Sequence, residues 1–198
     1  MRINERTGSA AFILSGGKSS RMGEDKAFLR FHGQTLLETA IEKAEEIAAS
    51  VRVVGPRAKF GSDAIEDIFP NCGPLGGIHA ALAQSRHELN LIIAVDTPFI
   101  EVKFLKFLFE QAESSRAVVT VPRTADGFQP LCAVYRKGFG GVAERALKRG
   151  NYKIDALFLQ VETRIIEEPE MRRFAFDPAM FQNLNTREEY ERASARNS

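Results

Sequence analysis

An α/β fold, with a mostly parallel sheet covered by helices on both faces, is what this sequence predicts on three observations. Short apolar runs of strand length alternate with longer amphipathic stretches. One of those runs, LIIAV at 91–95, is apolar throughout, as a strand buried on both faces must be. The alternation is not divided by an internal repeat, a low-complexity segment or a linker. With 198 residues, 44% of them hydrophobic, the chain can build one substantial core and would be cramped as two, so a single domain over 1–198 is expected.

The first strand is AAFIL at 10–14, too short an apolar run for a signal-peptide core or a membrane span. A helix follows from Thr35: Leu36, Leu37, Ala40, Ile41, Ala44, Ile47 and Ala48 form one stripe, and T-L-L-E supplies a capping box. VRVVG at 51–55 is the second strand. Pro74 suits the first position of a helix that reaches about Ser85. LIIAV is then a central strand, a helix covers roughly 102–113, and AVVTV at 117–121 is the next strand. Beyond it FQPLCAVYR at 128–136 reads as a strand entered through Gly127. Helical segments lead on to VETRII at 161–166, and a second capping box, Thr186 to Glu189, heads a final helix.

Composition excludes several function classes. Lys plus Arg (27) nearly balances Asp plus Glu (26), and the net charge of +1 offers no overall attraction to nucleic acid or to an acidic membrane. Cationic chemistry must therefore be local. Cys72 and Cys132 are too few for a disulfide framework and lack the spacing of a zinc site, which fits a reducing, cytoplasmic setting. His32, His79 and His87 have no metal-ligand spacing, and no Ser-His-Asp arrangement is evident.

The local cations lie in LSGGKSSRMGEDKAFL at 14–29, directly behind the first strand. Gly16 and Gly17 can turn several amides toward one anion, and Lys18, Arg21 and Lys26 add mobile positive charge around that nest. A nucleoside triphosphate carries roughly four negative charges, more than backbone dipoles alone can offset. Asp25 is expected to cap the turn that presents Lys26, and Glu24 to face water. Five residues before Gly17 stands Phe12, so G-K-S does not complete a Walker loop, and the dinucleotide fingerprint G-x-G-x-x-G is absent too. Asp96, in AVDTPF, falls just past the carboxyl end of LIIAV, the edge at which open α/β sheets bind ligands. Gly73, Pro74, Gly76 and Gly77 open a helix whose amino end favours an anion.

The pattern L-[AS]-G-G-x-x-x-R-M-G-x-D-K resembles the signature of the molybdenum cofactor guanylyltransferases, which make molybdopterin guanine dinucleotide. E-D followed by G-P-L-x-G, D-T-P, Q-P-L and N-L-N-T occur in the family's order, so the resemblance covers nearly the whole chain. It implies a Rossmann-like three-layer sandwich of the nucleotide-diphospho-sugar transferase type. It also implies transfer of GMP from GTP to the terminal phosphate of molybdopterin, with release of pyrophosphate. On this resemblance Asp96 binds Mg²⁺, and Arg21 and Lys26 stabilise the departing pyrophosphate. Leu14, Ser15, Gly16, Gly17, Asp67 and Gly73 join them in holding the nucleotide. Gln129, Asn183 and Asn185 meet the second substrate, with Lys153 a candidate for its phosphate. Transient contact with molybdopterin-handling proteins or apo-molybdoenzymes would follow, without nucleic acid or membrane partners.

The sequence departs from the family at the base. An asparagine that helps read guanine often follows the second strand, whereas Gly55 and Pro56 stand here. Guanine selection must then lean on main-chain groups of residues 14–17, or the nucleotide differs. A cytidylyltransferase acting on molybdopterin or a sugar phosphate is the alternative, and a non-catalytic nucleotide-binding cofactor chaperone is a second.

Overall fold

The computed structural model describes residues 8–16 and 25–184. In chain order these form β1 (Ser9–Leu14), a small ribbon of β2 (Arg30–Phe31) and β3 (Gln34–Thr35), α1 (Leu36–Glu45), β4 (Ser50–Val54), α2 (Arg57–Phe60) and α3 (Pro74–Gln84). Then follow β5 (Leu89–Ala94), α4 (Val102–Ser114), β6 (Val119–Thr124), β7 (Gly127–Phe128), β8 (Cys132–Arg136), α5 (Phe139–Lys148), α6 (Asp155–Phe158), β9 (Thr163–Glu167) and α7 (Glu168–Arg173).

The described residues build a seven-stranded sheet. Strand β1 lies between β4 and β5 and runs parallel to both. Direction reverses at β8, which pairs antiparallel with β5 and with β6, and is restored by β6 and kept by β9, parallel to it. Leu14 is level with Val54 on one side and Ala94 on the other, so three parallel strands end in line at one edge. That edge positions everything that follows.

The apolar strands are apolar because each face meets a helical layer. Ala11 and Ile13, Leu91 and Ile93, and Cys132 and Val134 point into a core shared with α1 and α4. Their neighbours Ala10, Phe12, Leu14, Ile92, Ala133 and Tyr135 point into a second core shared with α3, α5 and α6. The two-residue alternation of a strand thus feeds two cores at once, which makes the three-layer sandwich. Helix α1 starts as its sequence dictates: Thr35 Oγ1 accepts from the Glu38 amide at 3.1 Å, and Glu38 Oε2 accepts from the Thr35 amide at 2.7 Å.

The segment 128–136 is not one strand. It splits into β7 and β8 around residues 129–131, which bulge at the carboxyl edge. The Ala94 amide donates to the Leu131 carbonyl at 2.8 Å and the Tyr135 hydroxyl to the Pro130 carbonyl at 2.8 Å. Pro130 has no amide to give a ladder, so the break falls where proline demands it. The last helix expected from Thr186 lies outside the described residues. No helix among the described residues is long and apolar enough to cross a membrane.

Candidate active site at the carboxyl edge of the sheet

The site begins where β1 ends. The Leu14 carbonyl accepts from the Val95 amide at 3.1 Å, and the Ser15 amide donates to the Val54 carbonyl at 3.0 Å, so the chain is held between both neighbouring strands up to Ser15. Ser15 is buried, and its hydroxyl has no partner among the described residues. Gly16 is exposed just beyond it. Gly17, Lys18, Arg21 and Glu24 lie outside the described residues.

The chain resumes at Asp25, which caps a 3₁₀ turn, Lys26–Phe28, by accepting from the Ala27 amide at 3.0 Å. The capping role expected for Asp25 is the one it has. The turn sets Lys26 opposite the end of β5: its Nζ lies 3.1 Å from Asp96 Oδ2, with each side chain about one-fifth exposed. Residues separated by 70 positions are thereby brought into one ion pair. Asp96 is further fixed through its main chain, because its carbonyl accepts from the Leu184 amide at 2.9 Å. Leu184 is fully buried, so the segment bearing Asn183 is anchored beside Asp96, with Asn183 itself exposed. Asn185 lies outside the described residues.

On the other face, Gly73 precedes α3 with φ of 64°, a left-handed conformation that glycine takes without strain. Gly77, one turn in, lets α3 sit directly on the end of β1: a Cβ there would stand 3.3 Å from the Leu14 side chain. Asp67 folds over the same first turn, its Oδ2 3.5 Å from where a Gly76 Cβ would be. The residue is largely open to solvent, yet burial of its carboxyl end raises its pKa above the ordinary value. Proximity to a helix amino end works in the opposite sense and favours the carboxylate.

Among the described residues, the candidates for a second substrate come from three separate segments of the fold. Gln129 turns back into its hairpin, where its Nε2 donates to Thr124 Oγ1 at 3.2 Å. Lys153 is exposed after α5, next to Tyr152, whose hydroxyl pKa is raised by Cys72 ahead of α3. Asn183 stands across the edge beside Asp96. Phe128 packs on Phe158 with ring centroids 5.2 Å apart, which joins the Gln129 hairpin to α6, just past Lys153.

Sequence reasoning missed Lys59 and Phe60. Lys59 forms an ion pair with Asp25 and lies over the rings of Phe60 and Phe28, 4.8 and 5.8 Å from their centroids. Burial lowers its pKa. The Phe60 ring fills the space beside Gly55: a Cβ at Gly55 would meet it at 2.7 Å. A side chain at position 55 would therefore have to displace this ring, a feature visible in the sequence only as an unexplained Phe five residues on.

No three His, Cys, Asp or Glu side chains gather at one point among the described residues. A cation here would take Asp96 and draw its other donors from phosphates and water, which suits a hard divalent ion and no soft metal. The donor set therefore fits the divalent metal that nucleotidyl transfer calls for.

Comparisons with known proteins agree with this fold. A family model described as MobA-like NTP transferase domain matches residues 11–163. Molybdenum cofactor guanylyltransferase of Desulfosudis oleivorans is 36% identical over 92% of this chain and 93% of its own length. Probable molybdenum cofactor guanylyltransferase of Clostridium perfringens is 34% identical over 92% of this chain and 94% of its own. The crystal structure of molybdopterin-guanine dinucleotide biosynthesis protein A from Archaeoglobus fulgidus superposes with a TM-score of 0.81 at 25% identity, covering 94% of this chain and 97% of that one. The chain belongs to the MobA-like NTP transferase family, the family of nucleotidyltransferases shared by these molybdenum cofactor guanylyltransferases.

Proposed function

We propose that this chain acts in the cytoplasm as one nucleotidyltransferase unit that transfers GMP from GTP to the terminal phosphate of molybdopterin. The observation that carries this reading is the Lys26–Asp96 pair at the level ends of β1 and β5, with the amino end of α3 on the neighbouring face. The names of its relatives support guanine and molybdopterin as the substrates.

An acceptor phosphate oxygen attacks the α-phosphorus, the bond to the bridging oxygen breaks, and the electron pair leaves with pyrophosphate. The acceptor is already anionic, so no protein nucleophile or base is required. Main-chain groups of Leu14, Ser15, Gly16 and Gly17, with Gly73, hold the nucleotide against the edge, and Asp67 faces it from the α3 side. Lys26 and Arg21 offset charge growing on the leaving pyrophosphate. Gln129, Lys153, Asn183 and Asn185 orient the acceptor, which turns an encounter of two solutes into an aligned displacement. Magnesium, held by Asp96 when bound, supplies the Lewis acid that offsets phosphate charge.

One observation favours a second reading. The Phe60 ring stands where a side chain at position 55 would project, in place of the family's base-reading amide, which favours cytosine over guanine. Pyrophosphate release measured with each triphosphate, Mg²⁺ and molybdopterin separates the two. Release with GTP alone is the expected result. Release with CTP establishes the cytidylyltransferase, and tight GTP binding without release establishes a nucleotide-binding chaperone.

A further inference from the structure

We propose that Lys43 is a positioning residue for Asp96, acting through the turn that carries it; this rests on the reading of Asp96 as the metal ligand. Lys43 lies on α1 three residues after Ala40 and just before Ala44, beside a stripe that is otherwise apolar. It lines a small cavity with Leu36, Ala40, Ile93, Val95 and Ile100, and its ammonium donates to the carbonyl of Pro98, two residues past Asp96. Burial lowers its pKa, while nearby Glu101 acts the other way.

The turn needs that donor for a stated reason. Pro98 is buried and has no amide, so its carbonyl is its one main-chain hydrogen-bonding group and has to find a partner inside the protein. The rest of the turn is held elsewhere: the Thr97 hydroxyl donates to the Ala94 carbonyl at 2.9 Å, and the Leu184 amide to the Asp96 carbonyl at 2.9 Å. Lys43 closes the remaining side. A methionine of similar length would fill the cavity without the cost of burying an ammonium. What the ammonium adds over it is the grip on Pro98, and through Pro98 the direction of the Asp96 carboxylate.

Manganese binding to the full chain in the presence of GTP, followed by electron paramagnetic resonance, tests this without relying on turnover. Asp96→Asn is expected to lose the tight manganese site. Lys43→Met is expected to weaken manganese binding about tenfold, the scale on which support behind a metal ligand acts. Its GTP affinity in metal-free buffer should stay as in the wild type, and Lys43→Arg, which still donates, should bind manganese nearly as well. Wild-type manganese affinity in Lys43→Met, whatever its melting midpoint, overturns the role of Lys43 while leaving Asp96 intact. Retained manganese binding in Asp96→Asn overturns the metal assignment itself. If Lys43→Met does not fold, Lys43→Gln is read in the same way, weakened binding supporting the proposal and unchanged binding refuting it.

Discussion

Two walls of the site are built by different means. The Asp96 turn is gripped from three distant segments, by Lys26 on its carboxylate, Leu184 on its main-chain carbonyl and Lys43 beneath Pro98, and its own Thr97 ties it to the end of β5. The wall from Asp67 to Gly73 has no such side-chain bonds from distant segments among the described residues; α3 starts without a side-chain cap, and its place is set by small residues, Gly76 under Phe69 and Gly77 on Leu14. The contrast teaches where direction matters. On the proposed reading, a carboxylate that must present its charge to a metal beside a polyphosphate is fixed through its whole turn, whereas a wall that offers a dipole and a surface needs only to be close.

The largest break in this contrast is expected from Asp96→Asn. Removing the charge proposed to hold the metal should lower turnover by about a hundredfold or more, on the scale of losing a preorganised group at developing charge. Chelation of metal should bring the wild type down to the same level, and a variant whose rate still responds to added Mg²⁺ would take Asp96 out of the site. Lys26→Ala comes next: turnover should fall by about a hundredfold with KM for GTP moved far less, as a group acting on the leaving pyrophosphate requires. A changed KM with unchanged turnover at saturating GTP would make Lys26 a binding residue only.

On the wall beside β1 the effects are smaller and structural. Gly55→Asn places a Cβ against the Phe60 ring and should cost about 1–3 kcal/mol by overpacking. The same change made in a Phe60→Ala background should cost less, which thermal melts of the four proteins in the cycle would show. Equal costs in both backgrounds would mean that Phe60 is not what keeps residue 55 a glycine.

The smallest effect concerns Asp67. Its folded-state pKa is raised above the ordinary 3.8, so between that value and the raised one the folded protein holds a proton that the unfolded chain gives up. Stability is therefore lost as pH rises through that window. Asp67→Asn, which does not ionise, should melt slightly above the wild type at neutral pH, and the gap should close as pH falls below 3.8. A gap that widens in acid would reverse the sign and show the carboxylate to be stabilised in the fold.

Much of this architecture was legible in local pattern. The strands at 10–14 and 91–95, the capped helix at Thr35 and the proline-started α3 each follow from spacing within a single element. The break at residues 129–131 was not legible, because it answers to the Ala94 amide and the Tyr135 hydroxyl. Asp96 could be placed at the sheet edge from its position after LIIAV. Its partnership with Lys26 could not, since it depends on a 3₁₀ turn folding back over the same edge. Lys59 and Lys43 were missed for a shared reason: in sequence one lies in an unassigned stretch and the other is an ordinary helix lysine, and only tertiary packing brings the first to Asp25 and the second to Pro98.

The central claim is that Lys26 and Asp96 converge on one polyphosphate, and a crystal structure with a non-hydrolysable GTP analogue and Mg²⁺ tests it most directly. The account predicts the ion on Asp96, with the triphosphate in contact with Lys26 and with residues 15–26. A triphosphate seated away from that edge, with Asp96 still paired to Lys26 and no metal on its carboxylate, would contradict it.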